Sequence, residues 1–155
     1  MKKGLIFLSI LTLFILPACD GKNDLSGKTF AISHKAISLI PPDVSREEID
    51  DDDWYKTFLT LEFLNENEFT STQLGKGTYE LDRDDKEFTI RFENNNEHLE
   101  IGFNLEESKK DFSKYSAEIN NLDFQPPDDN EVSHFQKFYM NINLAMENEY
   151  EFIRE

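Results

Sequence analysis

The chain has 155 residues, and 32 acidic against 16 basic side chains give it a formal charge of −16. That balance excludes nucleic acid as a partner, because phosphate binding needs a basic face. Fourteen phenylalanines exclude a disordered chain, whose composition is poor in aromatics. A lone cysteine rules out an internal disulfide.

The first segment has three parts. Lys2 and Lys3 precede an apolar run from Leu5 to Leu16, and Pro17-Ala18-Cys19-Asp20 follows. The run is about a dozen residues, short of the roughly 20 that cross a bilayer as a helix, and it fits the core of an export signal. Leu16 stands three before Cys19 and Ala18 directly before it. This segment resembles a bacterial lipoprotein signal peptide ending in a lipobox. The resemblance implies cleavage before Cys19, a diacylglycerol thioether on its sulfur and an acyl chain such as palmitate on its new amino group. Two or more such chains anchor a protein stably. Asp20 resembles the retention signal of enterobacterial lipoproteins, which in a Gram-negative host implies the periplasmic face of the inner membrane. The expected organisation is a signal peptide at 1–18, a lipidated tether at 19–26 and one domain at 27–155. Losing residues 1–18 leaves 137 of 155 residues and removes two lysines and no acid, so −16 becomes −18. Such a domain is repelled by an anionic membrane surface and attracts a basic protein.

Beyond Gly27 the apolar residues recur with period two, the pattern of half-buried strands. A first strand is expected from Lys28 to about Ile37. After the Pro41-Pro42 break, Ser45-Arg46-Glu47-Glu48-Ile49 carries a capping-box pattern and predicts one short helix near 45–50. Tyr55, Leu59, Leu61 and Phe63 share a face of the next strand, which ends at Asn65-Glu66-Asn67. A partner runs from Glu68 to Leu74, and Gly75 and Gly77 break it before Thr78–Leu81. Phe88, Ile90 and Phe92 then form a hairpin with Leu99, Ile101, Phe103 and Leu105 across Asn94-Asn95-Asn96. Tyr115, Ala117 and Ile119 alternate next, and the segments flanking Glu106–Lys110 are weaker candidates for one helical turn. Phe138, Met140, Ile142 and Leu144 alternate with Lys137, Tyr139, Asn141 and Asn143, predicting another strand before Tyr150–Arg154.

Eight or nine short-linked strands predict an all-β fold, an antiparallel meander closing into a barrel of about eight strands, since closure removes exposed edges. Leu25-Ser26-Gly27-Lys28-Thr29-Phe30, Gly77-Thr78-Tyr79-Glu80-Leu81 and Tyr150-Glu151-Phe152 carry a resemblance to the small lipocalin-like barrels of bacterial lipoproteins. Where many relatives have Trp, this chain has Thr29-Phe30. A two-sheet sandwich is the alternative.

No residue is assigned to catalysis or to a cofactor. His34, His98 and His134 fall on expected strands without the local pairing of a metal site or a Ser-His-Asp arrangement. Neither a Gly-x-Ser-x-Gly elbow nor a His-Glu-x-x-His helix occurs. Asp50, Asp51, Asp52 and Asp53 are contiguous and lack the alternate ligands and glycine of a calcium loop, and Asp82–Asp85 and Asp128–Glu131 fail the same test. Clustered oxygens leave incidental calcium capture as an alternative. The run Asp50–Asp53 reads either as a solvated acidic loop or, with Trp54 and Tyr55 as anchors, as a partner-binding prong. Trp54 also reads as core at the barrel mouth. The sequence therefore predicts a non-enzymatic cell-envelope lipoprotein, a lipocalin-like binding module for a protein or a small ligand. The alternative is an acidic immunity or inhibitor protein that neutralises a basic toxin or envelope hydrolase.

Overall fold

A computed structural model of the chain describes residues 25–35, 54–84, 86–128 and 131–155. The predicted helix near 45–50, the acids Asp50–Asp53 and Cys19 lie outside the described residues. The order of elements is β1 (Thr29–Lys35), β2 (Tyr55–Phe63), β3 (Glu68–Ser71), β4 (Gly75–Asp82), β5 (Glu87–Asn94), β6 (Glu97–Glu107), β7 (Ser113–Gln125), α1 (Gln136–Asn143) and β8 (Tyr150–Arg154). Each strand pairs antiparallel with the next, and β8 returns to β1, so the sheet closes into an eight-stranded barrel. The sandwich alternative is thereby replaced.

Alternation decides what fills the barrel. Phe88, Ile90 and Phe92 stand opposite Phe103, Ile101 and Leu99 in the β5–β6 register, and all six are at most 1% exposed. Burying each such side chain stabilises by about 1.5–3 kcal/mol. Rings reach across the interior: Phe88 lies 5.6 Å from Phe152, Phe63 lies 4.7 Å from Tyr79, and Phe69 lies 5.2 Å from Phe92. An eight-stranded barrel is just wide enough for its side chains to fill, and here they meet ring against ring.

The two ends differ. At the lower end, where β1 starts, Leu25 is buried, although it falls in the segment assigned to the tether. The Gly27 N–H donates to the Phe63 carbonyl at 2.8 Å, and the Tyr79 hydroxyl donates to the Asn65 carbonyl at 2.8 Å. At the upper end, where β1 stops and β2 begins, α1 covers the interior.

Four sequence expectations are corrected. The segment 137–144 is mostly helix, not strand. Phe135, Phe138, Tyr139, Ile142 and Met146 belong to or pack against the core, and that spacing is helical. The partner strand ends at Ser71 instead of Leu74. Gly75 and Gly77 do not interrupt a strand but belong to β4. Phe69 pairs with Gly77, and a Cβ there would lie 2.5 Å from the Phe69 ring and 2.6 Å from the Arg91 carbonyl, so only glycine fits beneath that ring. Finally, the segments flanking Glu106–Lys110 are not helical: β6 runs to Glu107, and residues 108–112 turn into β7.

β7 also runs past Ile119 to Gln125. A register shift at Gly102/Phe103 leaves Asn120 unpaired, so that Asn120 and Asn121 both face outward and Leu122 returns to the core. This is a β-bulge, which changes the phase of the alternation.

Candidate functional site

The described part of the predicted prong lies where β2 leaves the upper end. Lys35, the last residue of β1, pairs with Tyr55. Trp54 is only 9% exposed, and the Lys35 ammonium sits 5.8 Å from its ring centroid, a cation–π contact. Tyr55 is half-buried against Phe112 at 5.3 Å, with the Lys110 ammonium 5.5 Å from its ring. Both aromatics are thus already packed by this chain.

Lys110 leads to a polar cluster that the sequence reading missed. In β8, Tyr150 and Phe152 point into the barrel and Glu151 points outward, as alternation requires. Glu151 is nonetheless fully buried, because the β6–β7 turn folds over the outer wall. It accepts hydrogen bonds from the Ser108 and Ser116 hydroxyls at 2.9 Å each and pairs with the Lys110 ammonium. Burial pushes its carboxyl up, but the bonds from Lys110 and the serines outweigh that and hold it below the ordinary carboxylate range. Burial likewise opposes the Lys110 charge, and its contacts with Glu151 and Tyr55 raise it overall. A carboxylate so satisfied is a poor general base, which needs a pKa near the working pH. Its chemistry is that of a clasp holding the turn to the wall.

A second buried carboxylate fixes the roof. Glu97, at the start of β6, is 2% exposed. It accepts from the His134 N–H at 2.8 Å, the Phe135 N–H at 2.9 Å and the Ser133 hydroxyl. The Ser133 oxygen accepts from the Gln136 N–H at 2.9 Å, so these groups satisfy the free N–H groups where α1 begins. Burial raises the Glu97 carboxyl and these donors lower it, with a net shift downward. The inner face of α1 packs Phe138 on Phe58 at 4.7 Å and stacks Tyr139 on Phe124 at 4.8 Å. Beneath it the Tyr150 hydroxyl donates to the Ala145 carbonyl at 2.8 Å, and burial pushes its pKa up to about 12.

The outer face of α1 is different. Met140 is 56% and Leu144 86% exposed, and Val132 before the helix is 87% exposed. A surface hollow of about 310 Å³ beside them is lined by Ser133, Gln136, Lys137, Met140 and Asn141. The sequence reading missed this face because it placed residues 137–144 on a strand. The helical spacing of Phe135, Phe138, Tyr139 and Ile142 was the signal that could have found them.

The histidines serve separate places. His34 faces inward with its ring 6.0 Å from Tyr150, and its buried Nδ1 has no hydrogen-bond partner among the described residues. His98 Nδ1 lies 3.9 Å from a Glu93 carboxylate oxygen. His134 lies in the turn before α1, not on the strand expected for it. Among the described residues no three His, Cys, Asp or Glu side chains gather where they could hold a metal ion. Compared with protein-family models, curated proteins and solved structures, the chain matches none.

Proposed function

We propose that this chain is a lipid-anchored, non-enzymatic protein of the bacterial cell envelope whose barrel binds a basic protein through its surface. The observation that carries the reading is the interior: rings from β2, β3, β5, β6 and β8 occupy the space in which a hollow barrel would hold cargo. Surface recognition suits such a filled barrel better than storage of a small apolar ligand. The charge of −18 after loss of the signal peptide favours fast capture of a cationic protein. Neutralising a basic toxin or envelope hydrolase is the form of this reading that gains most from anchoring at the membrane. The lipid follows from the resemblance of Leu16–Cys19 to a lipobox.

The test has two arms. Cells expressing the wild type and Cys19→Ser are fed labelled palmitate and fractionated; the wild type takes label into the membrane and the variant does not. The purified wild type is then extracted and its lipids weighed against protein. A free fatty ligand in one-to-one amount would move the function to cargo binding, and equal labelling of the variant would remove the anchor.

A further inference from the structure

We infer that the outer face of α1, centred on Met140 and Leu144, is the surface that meets the partner, and that the partner is a folded protein presenting an apolar side chain within a basic rim. The inference rests on the protein-binding reading above and gives it a place. Three of the four large apolar side chains exposed among the described residues, Val132, Met140 and Leu144, belong to the 132–144 segment. Met140 and Leu144 are four apart, hence neighbours on one helix face. The helix does not need them to hold its place, because Phe135, Phe138, Tyr139 and Ile142 already seat it on the barrel.

Charge names the occupant. Asp128, Glu131, Glu147 and Glu149 are all exposed in the segments that lead into and out of α1. Against these acids α1 itself offers one cation, Lys137. Exposed apolar side chains flanked along the chain by acids on both sides fit a partner of the opposite sign.

Charge also decides against the bilayer as occupant, since an anionic membrane surface repels a strongly acidic domain.

The experiment uses the full lipidated protein in nanodiscs of zwitterionic lipid. The probe is a fluorescent amphipathic peptide of Leu and Lys, with a Leu and Glu peptide of the same spacing as control. The wild type binds the Lys peptide and not the Glu peptide. Met140→Ala with Leu144→Ala, both at exposed positions, weakens that binding about tenfold, the scale of losing an interface anchor. Leu64→Ala, an exposed apolar residue at the lower end, leaves it unchanged. An unchanged Kd in the α1 double variant with intact circular dichroism would overturn this surface and leave the protein-binding reading standing. Equal binding of the two peptides, or none of either, would overturn both. If instead the acyl-free Cys19→Ser protein bound anionic vesicles through Met140 and Leu144, the occupant would be a membrane and the inference wrong.

Discussion

The barrel interior and the outer wall beneath the β6–β7 turn both exclude water, the first with rings and aliphatic side chains and the second around a charge. Phe103 in the interior packs among rings, with Phe88, Phe152 and Tyr150 at ring distances of 6.1, 5.7 and 6.2 Å. Glu151, a neighbour of Tyr150 in the chain but on the opposite side of the sheet, is equally inaccessible. It must therefore find its partners in Lys110 and the serines. The two regions differ in what stabilises them. Dense ring packing stabilises through area removed from water. The clasp around Glu151 contributes less on balance, because desolvating two charges offsets most of their attraction. Its effect is to hold one turn in one position.

Truncating the interior should give the largest loss. Phe103→Ala is expected to cost about 3–5 kcal/mol, the range for removing a large buried ring and leaving a cavity. Urea melts of the folded protein measure it. A loss below about 1 kcal/mol would mean that the interior yields easily, against the close packing of these rings.

Breaking the clasp should cost less, and in a way that packing cannot imitate. Glu151→Ala strands the Lys110 ammonium and two serine hydroxyls, at an expected cost of about 2–3 kcal/mol. Lys110 is only partly buried, with 29% of its side chain exposed, so it can recover some hydration. Adding Lys110→Met should restore part of the stability, because the second variant no longer leaves a charge without its partner. Strict additivity of the two losses would break the comparison, since residues in one network should couple.

The same contrast has a pH signature. Glu151 and Glu97 have lowered pKa values in the folded state, so the stability they contribute is fully present above the unfolded carboxylate value of about 4.3. It is lost as pH falls through their lower folded values. Tyr150 is shifted the other way, to about 12. Its contribution is complete below the unfolded tyrosine value of about 10 and is lost as pH rises toward 12. Melting temperature against pH should therefore fall on both flanks. Glu151→Gln should flatten the acid side and Tyr150→Phe the alkaline side, each leaving the other flank in place.

The comparison also explains what was legible. The interior was, because β5 and β6 carry Phe88, Ile90 and Phe92 and Leu99, Ile101, Phe103 and Leu105 at every second residue. The clasp was not: Glu151 occupies an outward position, and nothing local says that a turn some forty residues earlier will cover it. The helix α1 was misread because Phe138, Met140, Ile142 and Leu144 satisfy period two while Phe135, Phe138, Tyr139 and Ile142 satisfy period 3.6. Eight strands already close the barrel, leaving no edge for a ninth. β7 was read only as far as Ile119, since the apolar alternation changes phase at Asn120 and Asn121. In the fold they straddle a bulge, with Gly102 opposite, where a Cβ would lie 2.4 Å from the Asn120 side-chain oxygen. Of the predicted partner-binding residues, only Trp54 and Tyr55 fall within the described structure, each already packed against its own chain.

A third region uses the parts of the clasp without its cover, and it should show the smallest effect. On the open wall of β4, β5 and β6, the Arg91 guanidinium donates to Glu100 at 2.5 Å and to Glu80 at 3.4 Å, and Asn121 donates to Glu100 at 2.9 Å. As in the clasp, a carboxylate meets a cation and a neutral donor. Here, however, the Arg91, Glu100 and Glu80 side chains are 36%, 23% and 73% exposed, so water reaches the cluster, screens it and replaces lost contacts. Glu100→Ala should cost no more than about 1 kcal/mol, as exposed pairs do, and most of that should vanish in about 1 M salt, where the screening length falls to about 3 Å. Glu151→Ala should be nearly indifferent to the same salt, since buried pairs are screened much less. Should the two substitutions prove equal in cost and in salt response, the cover supplied by the β6–β7 turn would have no energetic consequence. The difference between the clasp and the open wall would then lie in geometry alone.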